Sequence, residues 1–221
     1  MPLKTRKPSA MPHAAASAFL SSIDADWARA VEQIGPCLHE AKPAREPFEA
    51  LVRAVAYQQL HVKAGDAIIA RLLALAPELA FPTPQRLLDA DFDAVRACGF
   101  SARKIETIRG IAEATLNGVV PSCDDALALG DEELIDRLTT LKGIGRWTVE
   151  MFLIYTLARD DILPADDFGV REGYRLLKSL DAAPSAKAIA AIGTAWSPYR
   201  TAASWYLWRM PRPARTDATR G

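Results

Sequence analysis

LKGIGRWTVEMFLIYTLARDDILPADDFG, residues 141–169, sets a glycine hairpin, a helical apolar run and a loop ending on two acids in a fixed order. Leu141, Gly143, Ile144 and Gly145 form L-x-G-I-G between DEELIDRLTT and RWTVEMFLIYTLAR, both of which carry helical periodicity. Two glycines so close together let the backbone adopt positive φ and remove Cβ atoms that would keep another backbone away. They also leave amide N–H groups at the start of the next helix, where the dipole adds partial positive charge, so the turn can hold a phosphate without a lysine. An ordinary helix-to-helix turn is the other reading that L-x-G-I-G allows.

Outward from the hairpin the helical period recurs almost end to end, and no alternating strand run stands out. Pro, Gly and Asp/Ser signals delimit predicted helices near 17–34, 47–60, 63–77, 84–90, 91–97, 102–116, 131–140, 146–158, 167–179, 185–195 and 198–210. The expected fold class is therefore all-α, with one domain over 17–210 between tails at 1–16 and 211–221. Both tails are Pro-containing and basic without an apolar signal core, and are expected to be flexible. The run VEMFLIYTLA is too short to span a bilayer and is interrupted by Glu150.

Charge does not advertise a nucleic-acid partner, because Lys+Arg and Asp+Glu are both 27 and the formal net charge is zero. A local patch plus backbone amides can still grip a few phosphates. Lys142 and Arg146 flank the hairpin, Arg103 and Lys104 form a second basic pair, and Arg200 and Arg209 flank the last helix. Cys37, Cys98 and Cys123 are widely scattered and read as reduced thiols of a cytosolic protein. His13, His39 and His61 are not spaced as metal ligands.

LKGIG followed by RWT, with Asp167 downstream, resembles the helix-hairpin-helix DNA glycosylase superfamily, and GIGRWT with LPADD is most similar to its 3-methyladenine DNA glycosylase II branch. FEALVRAVAYQQLHVKAGDAI, CGFSARKIETIRGIA and AWSPYRTAASWYLW also resemble family segments, so the likeness runs over roughly residues 46–210. The resemblance implies two helical lobes with the active site in the cleft between them. Residues 47–165 would form the hairpin-bearing lobe, and the N-terminal and C-terminal helices the other. The chain resembles the short form, which lacks the N-terminal α/β domain of longer relatives.

The resemblance further implies hydrolysis of an N-glycosidic bond in damaged double-stranded DNA, by a monomer. Breaking that bond builds positive charge on the sugar and calls for a fixed anion, and the family motif places Asp167 there, leaving Asp166 to cap or support the helix that begins FGVREG. Members that also cut the DNA backbone carry a nucleophilic lysine two residues after the second hairpin glycine. Here Trp147 stands in that position, so a monofunctional enzyme is expected. Alkylated purines such as 3-methyladenine and 7-methylguanine are cationic and stack well on aromatic faces. The resemblance assigns Trp147, Trp208, Phe168 and Met151 to the base pocket, whereas Trp196, Tyr199 and Trp205 read as core.

A base in a duplex must be flipped out and the gap filled. The family position for the intercalating residue is Gln59, and His61 would touch the minor groove; Gln58 could instead hydrogen-bond backbone inside the fold. With these, Lys142, Gly143, Ile144, Gly145 and Arg146 make up the expected DNA contacts. The backbone carbonyls of Thr139, Leu141 and Ile144 match those that coordinate sodium or potassium in relatives. No cofactor is required, and no iron–sulfur cluster is expected, since all three cysteines precede the hairpin. Two other readings stand beside this one: a glycosylase for ethenoadenine or deaminated bases, and a non-catalytic helix-hairpin-helix DNA-binding module.

Overall fold

The structure is a computed structural model that describes residues 13–41 and 45–211. Of the tails expected over 1–16 and 211–221, residues 1–12 and 212–221 lie outside the described residues. Among those described there is no strand, and the chain is all-α. It divides into two compact units, one from the described residues up to Glu40 together with those from Ala158 onward, the other from Ala41 to Leu157. The expected lobe boundary at 165 is thus shifted to 157. The loop after Leu157 is tied to the C-terminal helix instead, as described below.

The first unit opens with α1 (His13–Ile23) and α2 (Ala25–Ile34). Two corrections apply here: helix starts at His13, inside the tail expected over 1–16, and the single helix expected over 17–34 is broken at Asp24. That residue is extended, and its carboxylate accepts the Asp26 and Trp27 amides at 3.0 Å each, which starts a new helix.

The unit continues with α11 (Phe168–Leu177), α12 (Ala186–Ile192), a 3₁₀ turn (Gly193–Trp196) and α13 (Arg200–Leu207). Every residue of α13 from Thr201 to Leu207 is buried. Gly173 lets α11 approach closely, since a Cβ there would lie 2.1 Å from the Leu207 carbonyl oxygen. Trp27, Trp196, Trp205 and Tyr206 fill the core, with Trp27 edge-on to Trp196 at 5.5 Å, and Tyr199 packs partly buried against it. The expectation that Trp196 and Trp205 are core residues is met, and Tyr199, expected with them, lies at the edge of that core.

The second unit contains α3 (Pro47–Tyr57), α4 (Val62–Ala74), α5 (Pro84–Asp89), α6 (Phe92–Ala97), α7 (Ala102–Leu116), α8 (Cys123–Ala128), α9 (Asp131–Thr139) and α10 (Arg146–Tyr155). Its centre is α3, which packs against α4, α7 and α10. Leu51, Val52 and Val55 of α3 and Ile108 and Ile111 of α7 are fully buried, each contributing about 2 kcal/mol by removal from water. Helix α8 was not anticipated. Its N-cap is Ser122, whose hydroxyl accepts the Asp125 amide, and of its residues only Ala126 is buried, so CDDALA carries no apolar stripe.

Candidate active site and nucleic-acid interface

In the first unit the loop before α11 is strapped to the start of α13. The Thr201 hydroxyl donates to the Arg159 carbonyl at 2.7 Å and accepts the Ile162 amide at 3.1 Å. Arg200 makes a two-nitrogen contact to Asp161, at 2.8 and 3.0 Å. Burial alone would push the Asp161 carboxyl up, but bonds from Arg200 and Ser197 bring it below the ordinary value. The basic residue Arg200 is therefore spent on the fold. Arg209 lies 3.8 Å over the Trp205 ring and donates to the Trp205 carbonyl, and it too has a structural partner.

The strap ends at Asp167, the N-cap of α11, whose Oδ1 accepts the Val170 amide at 2.8 Å and the Trp208 indole Nε1–H at 2.9 Å. This corrects the division of roles between the two acids. Asp167 itself caps the helix, and Asp166 is exposed. Capping and an active-site role are compatible, since two donors converging on one oxygen fix the carboxylate plane. Gly169 makes room for the arrangement: a Cβ there would lie 2.8 Å from Trp208 Cδ1 and 2.9 Å from Asp167 Oδ1. Phe168 is 67% exposed beside the acid, and Trp208 is partly buried against the core. The structure thus brings Asp167, Phe168 and Trp208 together. The indole bond and the need for Gly169 had no local sequence signal.

In the second unit α9 and α10 flank the hairpin. Gly143 takes φ +85°, and a Cβ on it would fall 2.5 Å from Thr107 Oγ1, so both conformation and space require glycine. Gly145 is the N-cap of α10, and the buried Ile144 anchors the turn, its amide donating to the Leu141 carbonyl at 3.0 Å. Trp147 and Met151 lie one turn apart on α10, Trp147 45% exposed and Met151 partly so.

The expected phosphate-binding cations are already paired. Arg146 spans Glu132, at 2.7 and 3.0 Å, and the buried Glu150, at 3.0 Å, and the Glu132 bond foremost raises its pKa. Lys142 meets Glu106 at 3.0 Å in an exposed pair, which holds it weakly. Lys104 donates to the carbonyls of Ala56 and Gln58, and its desolvation lowers its pKa.

The α3–α4 connection carries the other candidates. Gln59 is exposed at φ +59°, a conformation disfavoured for side-chain-bearing residues. His61 is exposed and N-caps α4, its Nδ1 accepting the Lys63 amide at 3.3 Å. Gln58 donates through Nε2 to the Gly143 carbonyl at 3.2 Å, which realises its expected backbone role and joins this connection to the hairpin. Among the described residues no group of His, Cys, Asp or Glu is arranged to hold a metal ion, and no helix is long and apolar enough to cross a membrane.

A family model described as HhH-GPD superfamily base excision DNA repair protein matches residues 52–198. DNA-3-methyladenine glycosylase 1 of Schizosaccharomyces pombe is 48% identical over 90% of this chain and 88% of its own length. The alkylbase DNA glycosidase-like protein mag2 of the same organism is 36% identical over 89% of this chain and 93% of its own. A solved structure of the S. pombe 3-methyladenine DNA glycosylase in complex with abasic DNA superimposes with a TM-score of 0.82 at 48% identity, covering 88% of this chain and 95% of that one.

Proposed function

The chain belongs to the HhH-GPD superfamily of base excision DNA repair proteins, and on that footing we propose that it is a monofunctional DNA glycosylase. It flips alkylated purines of the 3-methyladenine and 7-methylguanine type out of duplex DNA and hydrolyses the N-glycosidic bond, leaving an abasic site. The observation that carries this reading is the Asp167 carboxylate held by the Val170 amide and the Trp208 indole at the head of α11. A fixed anion stabilises the cationic sugar of the transition state. At about 4 Å and an effective dielectric near 20, a carboxylate contributes roughly 4 kcal/mol, or about a thousandfold in rate. The same group can orient or deprotonate the attacking water.

We assign stacking on the cationic base to Trp147, Met151, Phe168 and Trp208, and contact with the DNA backbone to the hairpin amides, Lys142 and Arg146. Gln59 fills the gap left by the flipped nucleotide, with His61 beside it. Trp147 has no amine with which to form a Schiff base, so no strand cleavage follows base release. The reaction needs no cofactor and no iron–sulfur cluster, and the protein acts as a monomer in the compartment that holds chromosomal DNA, cytoplasmic in a bacterium.

We also assign a monovalent cation to the hairpin. The Gly143 carbonyl is taken by Gln58, and the Leu141 carbonyl, with one bond from Ile144, keeps a second lone pair. Thr139, Leu141 and Ile144 would hold sodium or potassium by their carbonyls, supplying charge to a DNA phosphate.

One experiment tests the reading: methylated duplex DNA is incubated with wild type and Asp167→Asn, released bases are counted, and a parallel sample is treated with borohydride. Wild type should release alkylated purines without a trapped adduct, and Asp167→Asn should lose about a thousandfold while still binding an abasic-site duplex. No release by wild type would overturn the enzyme, and a trapped adduct the monofunctional assignment.

A further inference from the structure

The connection between α3 and α4 is a tight turn with an unusual occupant. Gln58 has φ −51° and ψ 125°, Gln59 has φ +59°, and the Leu60 amide donates to the Tyr57 carbonyl at 3.1 Å. These are the signs of a type II β-turn, whose third position requires positive φ and therefore favours glycine. Gln59 occupies that position with its side chain exposed. Type I and type II turns differ chiefly by rotating the middle peptide through roughly half a turn. A glutamine left to itself would favour the type I form, in which its φ is negative.

The middle peptide here is the one joining Gln58 to Gln59, and its carbonyl is held. Lys104 Nζ donates to the Gln58 oxygen at 2.9 Å and to the Ala56 oxygen, in the last turn of α3, at 3.0 Å. On the same face of α7, three residues on, Thr107 packs against Gly143 of the hairpin. The Gln58 amide side chain closes the circuit by donating to the Gly143 carbonyl at 3.2 Å.

We propose that Lys104 is a positioning residue for Gln59: by holding the Gln58 carbonyl it keeps the turn in the type II form that presents Gln59 outward at positive φ. Without that ammonium the peptide rotates, the turn relaxes to type I, and Gln59 is redirected. The consequence for DNA rests on the glycosylase reading and on Gln59 as the residue that fills the gap.

The test has two readouts, one of them independent of activity. With ψ of Gln58 near 120° its Hα lies close to the Gln59 amide proton, whereas in a type I turn the two move apart. The nuclear Overhauser effect between them should be strong in wild type and Lys104→Arg and weak in Lys104→Met. An unchanged effect in Lys104→Met overturns the proposal whether or not the chain is a glycosylase.

For activity, base release is compared on a paired duplex and on a duplex with an abasic site opposite the lesion, where flipping costs less. Lys104→Met should lose about tenfold on the first and less than about twofold on the second, a gap of at least roughly fivefold that Lys104→Arg should abolish. An equal loss on both would reduce Lys104 to a structural role and overturn the positioning claim. If wild type releases no base from either duplex, the glycosylase reading fails while the turn geometry remains decided by the first readout.

Discussion

Gly169 stands at the second position of α11, where its backbone is ordinary and alanine would suit the helix better. Its value lies in absence: a Cβ there would press on Asp167 Oδ1 and on Trp208 Cδ1 at once. Gly169→Ala should therefore leave thermal stability near that of wild type and lower base release by about a hundredfold, the loss expected of roughly an ångström of misplacement at the reacting groups. A variant with full activity would show that Asp167 does not need the Trp208 bond. At this scale the sequence singles out Asp167 and Trp208 as candidates, and the structure joins them by a hydrogen bond, but the cap is misplaced. Adjacent aspartates have the same local preferences, and only the Val170 amide and the Trp208 indole distinguish them.

Among the elements, α2 shows how one side chain can serve two purposes. Asp24 caps the helix, and Lys178, just beyond α11, donates to both Asp24 and Asp26, at 2.6 and 2.8 Å. Burial pushes the Asp24 carboxyl up, but the Lys178 bond, the Trp27 amide and the Lys178 charge carry it below 3.8; for Asp26 the Lys178 bond is the leading cause of a shift the same way. A carboxylate depressed in the folded state adds stability above its unfolded pKa and loses it as pH falls through the folded value. Lys178→Met should then lower the urea midpoint near neutral pH, and the gap from wild type should begin to narrow as pH falls below the ordinary carboxylate value and vanish once the depressed folded values are passed. A gap that persists in acid would assign the loss to packing instead. Helix extents were largely legible because apolar period and capping residues are local signals. The break at Asp24 and the short α8 were not: apolar residues run on past Asp24, and CDDALA buries only Ala126, so neither leaves a mark in the apolar period.

For the whole molecule, zero net charge meets a structure in which Lys104 and Arg200 are bonded to protein groups and Arg146 would meet DNA with its charge already balanced by Glu132 and Glu150. Binding to abasic-site DNA should consequently have a shallow salt dependence, with log K falling against log salt at a slope no steeper than about −3, equivalent to roughly three neutralised phosphates. A slope twice as steep would mean that these ion pairs open on DNA. The sequence by itself determined the all-α class, the hairpin, the family and the identity of the candidate acid. Each of these rests on spacings within a few turns, where glycine conformation, capping and helical period act. The tertiary structure alone decided which aspartate caps α11, which cations are already committed, and what orients Asp167 and Gln59. What orients Asp167 and Gln59 depends on through-space contacts between residues far apart in the chain, 41 positions for Trp208 and Asp167 and 46 for Lys104 and Gln58, beyond the reach of any local pattern, whereas the Asp167 cap and the Arg146–Glu150 pair are short-range contacts that the sequence leaves open because neighbouring residues offer the same groups.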